Sequence, residues 1–272
     1  MAKICRKSAI GSGHIEIAPI FRLFNPMNKI SQKFTLVIPT YNEAANIESL
    51  CSLLAGVLSK ENIDFEVIVV DDNSPDQTWK IAQAIAEKDK RIKVIHRVDR
   101  RGLATAVIAG WKNAKGDILG VMDGDLQQPP ETIPLLLNKL NEDALIDIVI
   151  ASRNIKGSMA LRRSAWRRFV SWSATLISVL LLPKLVAQVS DPMSGFFILR
   201  KEVIEKKVLN PLGYKILLEV LAKGTYKKIA EVPYIFAERK KGGSKAGVKQ
   251  YLLSFIYLLR LSIQSSRSLK SL

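Results

Sequence analysis

From Phe34 onward, apolar strand-like runs alternate with segments of helical periodicity, and that alternation restricts the chain to a mostly parallel sheet with crossover helices. "FTLVI" predicts a buried strand stopped by Pro39, and "EAANIESLCSLLAGVL" a helix. "FEVIVVDD", "IKVIHRV" and "DILGVMDGD" read as further strands, separated by the helical "WKIAQAIAEKD" and "GLATAVIAGWKNA". Ligands of such sheets bind beyond the carboxyl ends of the strands. Three strands run out there into polar clusters, "PTYNE", "DDNSPD" and "DGDLQ", so their side chains converge on one crevice. No GxGxxG follows the first strand, no GxxxxGK[ST] occurs, and no internal repeat is present.

With 272 residues, 48% of them hydrophobic, the chain is expected to form one domain with appendages. A net charge of +16 calls for an anionic partner: nucleic acid, a membrane surface or a phosphate-rich substrate. The charge is segregated. Residues 148–190 carry seven Lys/Arg and no acid, residues 239–272 carry eight and no acid, and residues 1–33 carry six against Glu16. The remainder is mildly acidic.

Cys5 and Cys51 are too few and too scattered for a disulfide framework or a zinc site, which favours a reducing compartment and a buried, inert Cys51. His14 and His96 alone leave no histidine constellation, so acid–base or metal chemistry must run on carboxylates. The longest uncharged apolar stretch, Phe169 to Pro183, is 15 residues, where a bilayer span needs roughly 20. Neither a transmembrane span nor a signal peptide is expected.

Asp123, Asp125 and Gln127 alternate, so on an extended segment they would share one face. Three such oxygen donors suit a hard cation, Mg²⁺ or Mn²⁺, that bridges to diphosphate oxygens. The alternative is a capped strand end with solvated carboxylates. Asp72 could accept bonds from ribose hydroxyls or a base, while "DNSPD" builds a turn and Asp76 caps the following helix.

"VIPTYNEAANI", "VIVVDDNSPDQT", "GLATA", "GDILGVMDGDLQQPPE", "SDPMSGF" and "RKKGGSK" occur in an order and spacing that resemble the family 2 glycosyltransferases. The double proline after D-x-D-L-Q resembles the polyprenol-phosphate (dolichol-phosphate) mannosyltransferase branch. The resemblance covers about residues 34–250 and implies a GT-A type α/β fold with a nucleotide-sugar donor. By matched position it implies that Pro39, Tyr41, Glu43, Val70 and Asp72 line the nucleotide pocket. Asp123, Asp125 and Gln127, with Gly124 between them, would hold the metal and the donor diphosphate.

On the acceptor side, Arg163, Arg167 and Ser171 recur every four residues beside an apolar stripe of Trp166, Phe169, Val170, Ile177 and Leu180. A helix of about residues 160–185 would lie in a membrane interface, or alternatively pack as a core helix with a solvated basic edge. The resemblance implies that Arg153, Arg167 and Ser171 meet the acceptor's lipid phosphate, and an arginine fork suits phosphate oxygens. Arg162, Arg163 and Arg168 are expected to face lipid head groups. Arg239, Ser244 and Lys245 would close over the diphosphate, with Gly242 and Gly243 as hinge, unless the segment is only a basic linker. The apolar "YLLSFIYLLRLSIQ" within the 251–272 tail would dock on the membrane or on a membrane-anchoring partner subunit.

Two departures from the family are expected: Phe197 occupies the place of a frequent arginine after "SGF", and the residues after the catalytic segment are not expected to form transmembrane helices. A phosphate monoester, with its second pKa near 6, is already largely dianionic at neutral pH and needs no general base. Asp191 is therefore expected to orient or support, and a single inverting displacement is expected to give a β-linked product. The donor would be GDP-mannose or, alternatively, a UDP-sugar on a bacterial polyprenyl phosphate. A nucleic-acid binder is disfavoured by the acidic site edge, and an inactive scaffold by the intact acidic motif. The expected location is peripheral, on the cytoplasmic face of a membrane.

Overall fold

Side chains of β1 (Phe34–Thr40) alternate between two apolar layers: Phe34, Leu36 and Ile38 enter one, Val37 the other. Period-two alternation buried on both faces is what a central parallel strand requires. The computed structural model describes residues 32–160, 188–211 and 213–238. Its elements run β1, α1 (Ala44–Lys60), β2 (Phe65–Asp71), α2 (Thr78–Lys88), β3 (Ile92–His96), α3 (Leu103–Lys112), β4 (Ile118–Val121), α4 (Thr132–Asn141) and β5 (Ile146–Ser152). They continue with β6 (Met159–Ala160), β7 (Phe197–Arg200), α5 (Ile216–Lys223), β8 (Lys228–Pro233) and β9 (Ile235–Phe236).

A seven-stranded sheet has the order β3-β2-β1-β4-β7-β5-β8, and β6 pairs with β9 apart from it. Every pairing in the large sheet is parallel except those of β7, which runs against both β4 and β5. Helices α1, α2 and α4 cover one face: Leu50, Leu54 and Leu58 of α1 and Leu136, Leu137 and Leu140 of α4 belong to the same apolar layer. Helices α3 and α5 cover the other through Val107, Trp111, Leu217 and Val220. Each fully buried leucine there stabilises by roughly 1.5–3 kcal/mol relative to exposure. The chain winds outward from β1 to β3, then crosses back to β4 on the other side of β1. That reversal opens the crevice in which doubly wound sheets bind ligands.

Pro39 does not stop the first strand as the sequence predicts. β1 continues through Pro39↔Val70 and Thr40↔Asp71 on its β2 side. Its pairing with β4 ends at Val37↔Val121, followed by the bond from Met122 N–H to Val37 O. Backbone groups alternate sides along a strand, so the missing N–H of Pro39 faces the β4 side where no partner remains. Among the described residues, no helix is long and apolar enough to cross a membrane.

Candidate active site

The carboxyl edge of β1 and β2 is built by side-chain bonds from β2 back to β1. Asp71, fully buried, accepts from Thr40 Oγ1 (2.9 Å), Ser74 Oγ (2.6 Å) and Ser74 N–H (2.8 Å). Its carboxylate ties the two strand ends together and is spent on structure. Ser74 Oγ accepts from Asn42 N–H at 2.9 Å, and Thr78 Oγ1 from Glu43 N–H at 2.9 Å. Asp76 accepts from Thr78 N–H and from Ala44 N–H, but it stands one residue ahead of the N-cap: that position is Gln77, at a left-handed φ of 64° and without a side-chain cap, so Asp76 braces the turn instead of capping α2 as expected. Glu43, also buried, accepts from Asn46 Nδ2 at 2.8 Å. Pro39 and Val70 sit level in the register, and Tyr41 lies under the Arg101 guanidinium, 3.6 Å from its ring centroid. The pocket residues expected from β1 and β2 thus share one edge.

Asp72 is held more firmly than its exposed strand-end position in the sequence indicates. Arg97 Nε donates to Oδ1 at 2.6 Å, and Gly102 N–H donates to Oδ2 at 2.7 Å. Arg97 also donates to Thr105 Oγ1 and Gly102 O, lashing the start of α3 to the end of β2. Burial pushes the Asp72 carboxyl above its usual range, more than the bonds from Gly102 and Arg97 draw it down.

The acidic motif differs from its predicted geometry. β4 ends at Val121, and residues 124–126 turn, with Leu126 at a left-handed φ of 60°. Asp123, Asp125 and Gln127 therefore do not line one face of an extended strand. The reversal needed to leave the sheet ahead of Pro129 and Pro130 displaces the period-two geometry, and strain of this kind gathers at functional sites. Gln128 Nε2 donates to Asp123 Oδ2 at 2.7 Å while its Oε1 accepts from Asp123 N–H. Gln127 Nε2 donates to Ala237 O at 3.0 Å, and Ala237 N–H donates back to Gln127 O. Asp125 Oδ1 accepts from Gln127 N–H at 3.1 Å. A Cβ on Gly124 would stand 3.3 Å from Thr40 and 3.4 Å from Glu43, so the acidic turn lies directly against the end of β1. A Cβ on Gly195 would stand 3.2 Å from Asp123 Oδ2.

The third component is Arg153, just past β5. Its Nε donates to Asp191 Oδ2 at 2.7 Å and its Nη2 to Oδ1 at 2.8 Å, a bidentate pair in which both partners are largely buried. Burial disfavours both charges, but the bonds between them prevail: Asp191 is held below the usual carboxylate range and Arg153 above its own. A carboxylate so held is a poor base, in keeping with the supporting role expected of it. Asp123 adds to the field on Arg153, and the Phe236 ring lies 5.8 Å away. Acidic turn and arginine therefore occupy one neighbourhood.

Arg167, Ser171, Arg239 and Lys245 lie outside the described residues, as do almost all of the segment expected to form an interfacial helix, Ser244, the 1–31 part of the extension and the tail. Sequence reasoning missed Arg97, Arg101, Gln128 and Gly195. "RVDRRG" offered the arginines as one basic cluster, and the doubled glutamine of "DLQQ" was the only sign of Gln128.

A reversed-order, mostly parallel sheet with acids at its carboxyl edge is the arrangement expected of a GT-A type fold. Residues 35–207 match Glycosyl transferase family 2, and the chain belongs to that family. It is 43% identical over 241 residues to a dolichol-phosphate mannosyltransferase of Pyrococcus furiosus, covering 88% of this chain and 67% of that protein. To the dolichol-phosphate mannosyltransferase of Saccharomyces cerevisiae it is 36% identical over 236 residues, covering 82% and 85%. Among solved structures, mannosyl-3-phosphoglycerate synthase from Rubrobacter xylanophilus superposes with a TM-score of 0.65 at 18% identity, covering 89% of this chain and 76% of that one. Glucosyl-3-phosphoglycerate synthase from Mycobacterium tuberculosis, in complex with Mn²⁺ and UDP, gives 0.62 at 22%, covering 86% and 80%. At these identities the structural likeness speaks to the fold.

Proposed function

We propose that this chain transfers a mannosyl residue from GDP-mannose to the phosphate of a polyprenyl, dolichyl-type lipid, with inversion at the anomeric carbon. The curated relatives named dolichol-phosphate mannosyltransferase support the reaction class. The observation that carries the reading is the placement of a buried, bidentately held Arg153 beside the Asp123–Asp125 turn. In this reading Arg153 would meet the acceptor phosphate, and the acids, through a divalent ion, would meet the donor diphosphate.

The donor set fits a divalent ion. Asp123 and Asp125 offer hard oxygens from one short turn. Two carboxylates suit Mg²⁺ or Mn²⁺ that shares its shell with diphosphate oxygens. Such an ion, with Gln127 as a further oxygen donor, would neutralise charge on the departing diphosphate. Pro39, Tyr41, Glu43, Val70 and Asp72 line the nucleotide side, and Gly124 lets the acidic turn approach them. Arg153 orients the lipid phosphate dianion, whose oxygen bonds to the anomeric carbon as the bond to the diphosphate breaks. Arg167 and Ser171 complete the phosphate cradle, and Arg239 and Lys245 close over the diphosphate.

In this reading the catalytic domain runs over residues 34–250, with the chain bound peripherally to the cytoplasmic face of a membrane through the basic segment at about 160–185, its tail or a partner subunit. A panel of labelled GDP-mannose, UDP-glucose and UDP-N-acetylglucosamine with a polyprenyl phosphate tests the reading. Lipid-soluble label from GDP-mannose alone, in a β-linkage by NMR, is expected. Label from a UDP-sugar instead would overturn the donor, and an α-linked product would overturn the single displacement.

A further inference from the structure

Glu231 lies on β8, level with Ile150 of β5, and its half-buried carboxylate is turned toward the chain that carries Asp191. Its Oε2 accepts from Ser190 N–H at 3.0 Å and its Oε1 from Asp191 N–H at 3.2 Å. Consecutive backbone donors are thus gripped by one charged side chain. Asn154 Nδ2 donates to Ser190 O at 2.8 Å, and Ser194 Oγ donates to Ala151 O at 2.8 Å. The segment that presents Asp191 is clamped at Ser190, Asp191 and Ser194.

Asp191 in turn receives three bonds from Arg153: from its Nε, its Nη2 and, at 3.1 Å, its own backbone N–H. We propose that Glu231 is a positioning residue: it fixes the Ser190–Asp191 backbone so that the Asp191 carboxylate holds the Arg153 fork at the angle the acceptor phosphate requires. The inference rests on the reading of Arg153 as the phosphate ligand. Two features favour positioning over simple satisfaction of backbone donors. Glu231 acts on the residue that orients Arg153, and the chain beyond it brings Phe236 over Arg153 and Ala237 onto Gln127. One strand end therefore braces both the arginine and the acidic turn.

The test is steady-state transfer by the full chain, with KM measured separately for polyprenyl phosphate and for GDP-mannose. It compares the native protein, Glu231→Ala, Glu231→Gln, Arg153→Ala and the Glu231→Ala/Arg153→Ala double variant. Glu231→Ala is expected to raise the acceptor KM by about tenfold, the effect of losing bonds to a charged group, and to leave the donor KM unchanged. Glu231→Gln, which keeps one acceptor oxygen, is expected to rescue part of that loss. In the double variant the Glu231 substitution is expected to add little, because its route through Arg153 is already cut. Fully additive losses, or donor and acceptor parameters falling together with the folded fraction in a denaturant melt, would overturn the proposal. Should the alanine variant fail to fold, the glutamine variant decides by its acceptor KM: an unchanged value rejects positioning. An unchanged acceptor KM in Arg153→Ala would instead reject Arg153 as the phosphate ligand, and the Glu231 route with it.

Discussion

Arg153 and Asp191 meet fork to carboxylate, 2.7 and 2.8 Å apart at their paired atoms, with the Asp191 side chain only 3% exposed. Breaking one partner of a buried pair leaves an uncompensated charge, so Asp191→Ala is expected to cost about 3–5 kcal/mol in urea unfolding. The pH dependence follows from the lowered Asp191 value. A depressed folded pKa contributes stability above the unfolded carboxyl range, near 3.9, that is lost as pH falls through the folded value. Asp191→Asn is therefore expected to flatten the acid limb of the stability profile below about pH 4.

Arg97 holds Asp72 and the Gly102 turn together. Arg97→Met is expected to destabilise the fold by about 3–5 kcal/mol and to push the Asp72 carboxyl further up. Because Asp72 borders the proposed nucleotide pocket, GDP binding measured by calorimetry is expected to weaken while acceptor KM stays unchanged. Equal affinity for GDP in the variant would remove Asp72 from the pocket.

Gly195 lets the chain after Asp191 press against the Asp123 carboxylate, where a Cβ would lie 3.2 Å from Oδ2. Gly195→Ala is expected to raise the Mn²⁺ concentration needed for half-maximal transfer, with only a modest loss of stability, because the carboxylate must shift by a few tenths of an ångström. An unchanged metal titration would separate Asp123 from metal binding.

Cys51 sits in the core on α1, and burial pushes its thiol up to about 12. Site-resolved mass spectrometry after iodoacetamide at pH 8 is expected to find Cys51 unmodified in the native protein and alkylated once denaturant exposes it.

Much of the fold was legible because parallel strands buried on both faces announce themselves as apolar runs, as "FTLVI" and "FEVIVV" do. What escaped depended on geometry across the sheet. Pro39 is tolerated because β4 ends its pairing with β1 early, which the sequence of β1 cannot reveal. Asp71 and Asp72 are adjacent and chemically alike, yet one ties strand ends together and the other grips an arginine from the loop after β3. In "DGDLQQ" the alternation of Asp123, Asp125 and Gln127 held only for a continuing strand, and the turn at Leu126 instead paired Gln128 with Asp123. Arg153 and Asp191 are 38 positions apart, so their pairing needed the antiparallel return of β7 beside β5.

The central claim is that the Asp123–Asp125 turn and Arg153 serve opposite partners of one glycosyl transfer. The most direct measurement is transfer of labelled mannose from GDP-mannose to polyprenyl phosphate by the native protein, Asp125→Ala and Arg153→Ala, with both substrates varied. The expected result is loss of transfer by at least about a hundredfold in Asp125→Ala. Arg153→Ala is expected to raise acceptor KM with donor KM preserved. Full activity in Asp125→Ala, or a donor defect alone in Arg153→Ala, would contradict that division of the site.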